Sequence, residues 1–213
     1  MAFAPSLNEV AADPEVAKLV NGAVQGLRAA GKAIEEVALN WSDPERNFTK
    51  IVAGALFGAF ENRDRGRVDP SFADLLGYAS GLRAGEYARA LAWRKEFART
   101  VLGSFSKIEF LLTPMTPVPA FELGMIGPRE IAGKKVWPFA WMSWAYPFNL
   151  TGQPAISIPC GMTAAGLPVG LQVVGRPGAD AALIRFTRWA EEVIGCQPDR
   201  FRIDAVLEKV ALT

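Results

Sequence analysis

Histidine is absent from the sequence. Its absence excludes Ser-His and Cys-His nucleophilic pairs, zinc sites that need imidazole ligands, and the commonest general base at neutral pH. Any catalysis must therefore use lysine, aspartate, glutamate, tyrosine, serine, threonine or cysteine side chains, or groups that lie outside this chain.

Cysteine is scarce, with only Cys160 and Cys196 in 213 residues. Two cysteines are too few for a disulfide framework. There is no cysteine pair and no dense carboxylate cluster to hold a metal ion. The glycines at 161, 166, 170 and 175 are spaced too widely to cradle a phosphate. We therefore predict neither a metal nor another cofactor.

An excess of one charge is also lacking, because 23 basic residues face 22 acidic ones. No net field would draw the chain to nucleic acid or to an anionic membrane surface. The longest apolar stretches, such as IVAGALFGAF at 51–60, are well short of the ~20 residues that span a bilayer. The start of the sequence has no basic region followed by an apolar core, so it does not predict a secretory signal. These features favour a cytoplasmic protein whose residues 1–213 form a single domain.

Apolar positions at helical spacing alternate with short β-branched runs. We expect helices to follow Asp13-Pro14, Pro44 and Asp69-Pro70, because proline suits the first helical position. Two further helices are expected at 84–105 and near 179–195, and strands at 32–41, 108–114, 156–159 and 169–175. An edge strand is expected within 1–7 and a charged break at 61–67. We expect irregular chain at 113–124, followed by a hairpin at 126–136. The tail from 200 is expected to be helical. Strands separated by helices predict the α/β class.

Cys160 is the most tempting nucleophile, since it follows a strand in NLTGQPAISIPCG. A reactive thiolate needs a nearby cation, a base or a helix N-terminus, and no lysine or arginine lies within eleven positions. We therefore interpret Cys160 as a small buried side chain at the strand end. Ser157 and Thr116 are weaker nucleophile candidates. Ser157 lacks the Gly-x-Ser-x-Gly surroundings that expose a catalytic hydroxyl, so we interpret it as structural too.

The segment WPFAWMSWAYPFNL at 137–150, called the aromatic segment below, holds three tryptophans and a tyrosine. So many rings together suit either a core or the wall of an apolar ligand pocket, and both interpretations stay open. The substrate-pocket candidates are Met115, Thr116, Trp141, Trp144 and Tyr146. The arginines of the helix at 84–105, including Arg94, are interpreted as solvent-facing.

Four stretches carry a resemblance to a known family. They are DPEVAKLVNGAVQGLRAAGKAIEEVAL at 13–39, YARALAWRKEF at 87–97, FLLTPMTPVPAFELG at 110–124 and PFNLTGQPAISIPCGMTAAGLPVGLQVVGRPGADAALIRFTRWAE at 147–191. Together they resemble the amidase signature family, which includes bacterial amidases and the A subunit of the glutamyl-tRNA amidotransferase. The resemblance implies a mixed β-sheet flanked by helices. It covers nearly the whole chain but only the C-terminal part of a family member.

The resemblance implies amide hydrolysis by a triad of a serine nucleophile, a second serine on a cis peptide and a lysine base. In the family these residues lie in the N-terminal half, around a glycine- and serine-rich segment that this sequence does not contain. No catalytic residue can therefore be assigned here, and we expect the chain alone to be inactive while it supplies sheet scaffold and part of the substrate cavity. Its small-molecule amide substrate would bind only when a catalytic half is present.

The substrate and partners are separate expectations. In the tRNA amidotransferase branch an acidic residue shortly before Asn-Leu-x-Gly helps to bind glutamine, but residues 141–146 contain no Asp or Glu. That favours an apolar or aromatic amide. The alternative is a non-catalytic binding or assembly module, or a partner chain of an amidotransferase-like complex. Sheet edges left open by a missing half would favour self-association or a partner chain, with no direct contact to nucleic acid.

Overall fold

The computed structural model describes residues 1–7, 10–41, 44–60, 69–137 and 139–196. The predicted charged break at 61–67 and the predicted tail from 200 lie outside these residues. The helices are α1 (Pro14–Ala29), α2 (Pro44–Phe60), α3 (Pro70–Ser80), α4 (Ala84–Ser104), α5 (Tyr146–Thr151) and α6 (Asp180–Ile194). The strands are β1 (Ala2–Phe3), β2 (Ser6–Leu7), β3 (Val10–Ala11), β4 (Glu35–Glu36), β5 (Phe110–Pro114), β6 (Glu130–Ile131), β7 (Lys134–Lys135), β8 (Ala155–Met162) and β9 (Pro168–Gly175).

Five strands form one mixed sheet in the order β4-β1-β5-β9-β8. β1 runs parallel to both β4 and β5, whereas β9 runs antiparallel to both β5 and β8. β2–β3 and β6–β7 form two small antiparallel pairs. The predicted mixed sheet flanked by helices is therefore confirmed.

Five of the six described helices begin where the sequence signals predict, and the exception is α5, which was not predicted. The Oδ1 atom of Asp13 accepts a hydrogen bond of 2.9 Å from the Glu15 backbone N–H, and Pro14 occupies the first turn of α1. The apolar stripe of α1 includes Val16, Val20 and other buried residues. This stripe packs on the sheet beside α6, because both helices contact β8 and β9. The helices α2, α3 and α4 form a separate layer that reaches α5.

The sheet presents two different faces. Leu112, Leu171 and Ile158 fill the face that α1 and α6 cover, where Leu171 pairs with Ile158 and Leu112 pairs with Val173. Thr113 and Gln172 alternate with them and point to the other face, where Gln172 reaches the aromatic segment. One face is therefore a continuous apolar core, while the other carries buried polar groups beneath the candidate site.

Several local predictions need correction. β1 is not an edge strand, because it pairs with β4 on one side and β5 on the other. The strand predicted at 32–41 shrinks to Glu35–Glu36, since only these residues pair with β1, although Ile34 beside them is buried. The chain from 115 to 124 is irregular as predicted, and β6 and β7 form the hairpin expected after it.

Candidate functional site

The aromatic segment folds into a short turn and a helix at the edge of the sheet. Ala140–Met142 form one turn of 3-10 helix, and α5 follows from Tyr146. Pro147 is accommodated in the first turn of α5, where its missing N–H leaves no hydrogen bond unmade. Gly152 ends α5 in the left-handed conformation with φ of 72°, and its N–H bonds the Phe148 carbonyl.

The NLTGQP motif fastens α5 to the sheet and to α4. The Gln153 side-chain amide donates a buried hydrogen bond of 2.8 Å to the Gly175 carbonyl, and the Thr151 hydroxyl donates to Gln153 Oε1 at 3.0 Å. Arg94 Nε donates to the Leu150 carbonyl at 2.6 Å near the C-terminal end of α5. Arg94 is therefore not simply solvent-facing, because its guanidinium joins α4 to α5.

A second buried network holds the start of the same unit. Gln172 Nε2 donates to Thr113 Oγ1 at 2.9 Å and to the Trp144 carbonyl at 3.2 Å. Gln172 is only 2% exposed. These bonds link β9, β5 and the aromatic segment, so the segment's position depends on a polar residue in an otherwise apolar strand. The lone Gln in VGLQVVG was a sequence signal for this role, but its partners could not be named without the fold.

A cavity of about 340 Å³, called the sheet-face pocket below, opens between α5 and the polar face of the sheet. Met115, Asn149, Ser157 and Gln172 are among its lining residues. The other lining residues are Ala145, Phe148, Gln153, Ala155 and Ile156, so none of the nine carries a charge. Ser157 and Asn149 are exposed and supply the polar groups that a ligand would meet first.

A larger cavity of about 540 Å³, called the helical cavity below, lies between α2, α3 and the start of the aromatic segment. Thr49, Leu75, Trp137 and Phe139 also line a small inner extension of about 80 Å³. This extension reaches Met142, Phe48 and Tyr146. Sequence reasoning did not find this cavity, because it depends on how two separately predicted helices pack.

The sequence candidates are distributed over these features. Met115 lines the sheet-face pocket, and the adjacent Thr116 donates its hydroxyl hydrogen bond to the Val118 carbonyl at 2.8 Å. Tyr146 lines the inner extension, and its hydroxyl donates to the Phe139 carbonyl at 2.6 Å. Burial raises the pKa of Tyr146, with the Glu45 carboxylate adding to the effect, so this phenol stays protonated.

The two candidate tryptophans have different surroundings. Trp141 is half-buried, and its indole N–H donates to the Ile126 carbonyl at 2.9 Å while its ring meets Phe121 edge-on. Trp144 is fully buried in the core. The structure thus brings Met115 to one cavity and Tyr146 to the other, while Trp144 lies in the core beneath α5.

Three shielded polar atoms in the aromatic segment lack a hydrogen-bond partner among the described residues. They are Trp137 Nε1, Ser143 Oγ and Trp144 Nε1. Buried polar groups are nearly always paired, so each unpaired group calls for an explanation. All three lie within eight residues of one another, and Trp137 lines the helical cavity.

Cys160 is buried within β8, and its thiol donates to the Val169 carbonyl at 3.4 Å. Burial raises the pKa of Cys160 to about 12, so the nucleophilic thiolate is suppressed at neutral pH. Its interpretation as a buried structural side chain is confirmed. Within the described part of the chain, no three cysteine, aspartate or glutamate side chains meet in a group that could hold a metal ion. Nor is any helix in that part long and apolar enough to cross a membrane.

The family model described as Amidase matches residues 1–184. The chain is similar to the glutamyl-tRNA(Gln) amidotransferase A subunit of Myxococcus xanthus, with 38% identity over 129 residues, 61% of this chain and 25% of that protein. It is also similar to the acylamidase of Rhodococcus erythropolis, with 28% identity over 197 residues, 87% of this chain and 40% of the relative.

Solved structures share the fold. The crystal structure of an amidase superposes with a TM-score of 0.79 at 25% identity, covering 90% of this chain and 45% of the other. A bacterial aryl acylamidase of the amidase signature family gives a TM-score of 0.75 at 18% identity, covering 90% of this chain and 43% of that one. The fold is thus that of the amidase signature enzymes. The chain belongs to the amidase family, and it spans less than half the length of each of these four relatives.

Proposed function

We propose that residues 1–213 act as one domain that forms the scaffold and part of the substrate cavity of an amide-hydrolysing enzyme. The nucleophile, the base and the oxyanion donors come from residues outside these 213, in the same polypeptide or in a second chain. The 213 residues alone are inactive. The substrate is a small amide with an apolar or aromatic body.

One observation carries this proposal, namely the chemistry of the sheet-face pocket. The pocket holds an exposed hydroxyl at Ser157 and amides at Asn149, Gln153 and Gln172, but none of its described lining residues carries a charge. A serine hydroxyl needs an adjacent base to become a nucleophile, and the described lining supplies none. The exposed Asn149 amide and Ser157 hydroxyl can orient a neutral polar group by hydrogen bonding, whereas the Gln153 and Gln172 amides are held in structural hydrogen bonds.

The position of the pocket supports docking of a catalytic half. β8 is an end strand of the sheet among the described strands, and Ala155 and Ser157 on it are exposed. An open strand edge offers unpaired backbone groups to another segment.

The test is complementation. The 213-residue chain is purified alone and after co-expression with the N-terminal half of a related amidase, and both samples are assayed with aryl and alkyl amides. We expect turnover only from the co-expressed pair. Ser157→Trp, which fills the sheet-face pocket, should abolish that turnover, whereas Ala92→Trp on an exposed position of α4 should retain it. Hydrolysis by the chain alone that survives repeated purification would overturn the proposal.

The open β8 edge also favours a second candidate, a non-catalytic assembly module whose edge pairs with another copy or a partner chain. Sedimentation velocity over a hundredfold range of protein concentration tests it. Self-association that Ser157→Lys weakens would support pairing through β8, because charges on an edge strand oppose such contacts. A sharp monomer at the highest concentration would exclude self-pairing.

A further inference from the structure

The helical cavity and the sheet-face pocket share none of their described lining residues. The inner extension of the helical cavity touches Met142 and Tyr146, while the sheet-face pocket touches Ala145 and Asn149. Because the two described linings do not overlap, a molecule in the helical cavity would not occupy the pocket where we place the amide chemistry. The helical cavity therefore needs its own explanation.

The size and lining of the helical cavity are those of a small-molecule site. Its volume of about 540 Å³ falls within the roughly 300–1,000 Å³ typical of ligand pockets. Three aromatic rings line it, from Tyr78, Trp137 and Phe139, and the Trp137 and Phe139 rings lie 4.9 Å apart between centroids. Aromatic walls favour ligands with a ring of their own, because offset and edge-to-face contacts add to the burial of apolar surface.

Two partly exposed side chains with large apolar surfaces line this cavity. Tyr78 is 47% exposed and Ile126 is 43% exposed, and both line the cavity. The bond from Trp141 Nε1 to the Ile126 carbonyl fixes that side of the entrance. A ligand in the cavity would cover part of this exposed apolar surface.

The charges on the cavity wall select among ligands. Glu45 and Asp74 contribute two carboxylates, and Arg46 contributes one guanidinium. The field of Glu45 extends to the inner extension, where it helps to keep the Tyr146 phenol neutral by raising its pKa. Among the described lining residues the carboxylates outnumber the guanidinium by two to one, and an excess of negative charge repels an anion and attracts a cation.

We propose that the helical cavity is a separate binding site for a small molecule that carries an aromatic ring and is either uncharged or cationic, and that it rejects carboxylates. The rings of Tyr78, Trp137 and Phe139 bind the ligand's ring, while Glu45 and Asp74 determine the charge that is accepted. The site belongs to the 213-residue chain itself and needs no catalytic half. Its existence therefore does not depend on the amidase activity proposed above.

Four matched probes test the proposal by titration calorimetry on the 213-residue chain. N-benzylacetamide, benzylamine and benzoate share a ring and differ in charge, and acetamide lacks the ring. We expect saturable binding of the first two with a Kd of about 1 mM or tighter, as their size allows. Benzoate should bind at least about ten-fold more weakly than benzylamine, and acetamide should not bind.

Variants place the binding in the cavity. Leu75→Trp fills the cavity from α3 and should abolish binding. Thr49→Phe fills it from α2 and should have the same effect, so it replaces the first variant if that one does not fold. Ile184→Trp, on an exposed position of α6, should leave binding unchanged. Asp74→Asn should narrow the gap between benzylamine and benzoate several-fold. Absence of saturable binding, unchanged affinity in a folded cavity-filling variant, or benzoate binding as tightly as benzylamine would each overturn the proposal.

Discussion

Replacing Gln172 by methionine tests how firmly the polar face of the sheet holds the aromatic segment. Methionine has a similar volume to glutamine and leaves no large cavity, so the change removes mainly hydrogen bonds. Gln172 donates to Thr113 Oγ1 at 2.9 Å and to the Trp144 carbonyl at 3.2 Å, and it is buried. The substitution thus cuts the link between β9 and the residues just before α5.

The expected cost follows from these contacts. Each lost hydrogen bond contributes about 1 kcal/mol, and the stranded Trp144 carbonyl adds a desolvation penalty of about 1 kcal/mol. The Thr113 hydroxyl adds little further desolvation penalty, because it still donates a hydrogen bond of 2.9 Å to the Pro114 carbonyl. Methionine recovers roughly 1 kcal/mol through its more apolar side chain. We therefore expect Gln172→Met to lower the free energy of unfolding by about 2 kcal/mol.

Urea unfolding followed by circular dichroism measures this change, with an unchanged m-value showing that the unfolding reaction is the same. Leu171→Met on the adjacent apolar position is the matched control and should cost less than about 1.5 kcal/mol. Combining Gln172→Met with Thr113→Val should give a coupling of about 1 kcal/mol, since the two side chains share a bond. A loss below about 0.5 kcal/mol for Gln172→Met would refute the reasoning.

Three further predictions concern other parts of the site. A thiol reagent at pH 8 should label Cys196 but not Cys160 in the native chain, and both after unfolding. The pKa of Cys160 is raised from 9.0 to about 12, so the stability that the protonated thiol contributes is complete below pH 9 and is lost as the pH rises from 9 to 12. If a Cys160→Ala chain lost stability equally steeply between pH 9 and 12, this prediction would be contradicted. Gly152→Ala should lower stability by about 1–2 kcal/mol in thermal unfolding, because its φ is 72°. Gly161→Ala places a Cβ 2.7 Å from Leu19 Cδ2 and should lower the free energy of unfolding by about 1–3 kcal/mol. The loss should be smaller in a chain that also carries Leu19→Ala, because that change opens the space. If the two substitutions had additive effects on stability, the contact would be contradicted.

Five of the six described helices were predicted because each carries its own signals, whereas the short α5 was not predicted. Asp13 before Pro14 predicts the start of α1, and the structure shows the expected cap. The long periodic stretch at 84–105 is α4, which ends at Ser104. The strand predicted at 169–175 is β9, which begins one residue earlier. Periodicity and capping are local properties, so local sequence is enough to predict them.

What failed depends on partners far along the chain. The two residues of β1 look like an edge strand in isolation, but β4 and β5 pair with them from both sides. The helical cavity forms only because α2 and α3 pack beside the aromatic segment, so no short stretch predicts it. Gln172 was visible as a polar residue in an apolar strand, yet the Trp144 carbonyl that it binds is 28 residues away. Such contacts are decided by topology rather than by local preference.

The strand order also has a consequence for the time course of folding. A short connection joins β8 to β9, because Met162 pairs with Pro168. The pairing of β1 with β5 closes a much longer loop, because Ala2 pairs with Leu111. Closing the longer of these loops costs roughly 2–3 kcal/mol more in chain entropy. The β8–β9 hairpin can therefore pair early, and β1 inserts between β4 and β5 late. Pulsed hydrogen exchange during refolding should protect the amides of β9 before that of Phe3, so an interior strand of the finished sheet would be among the last to arrive.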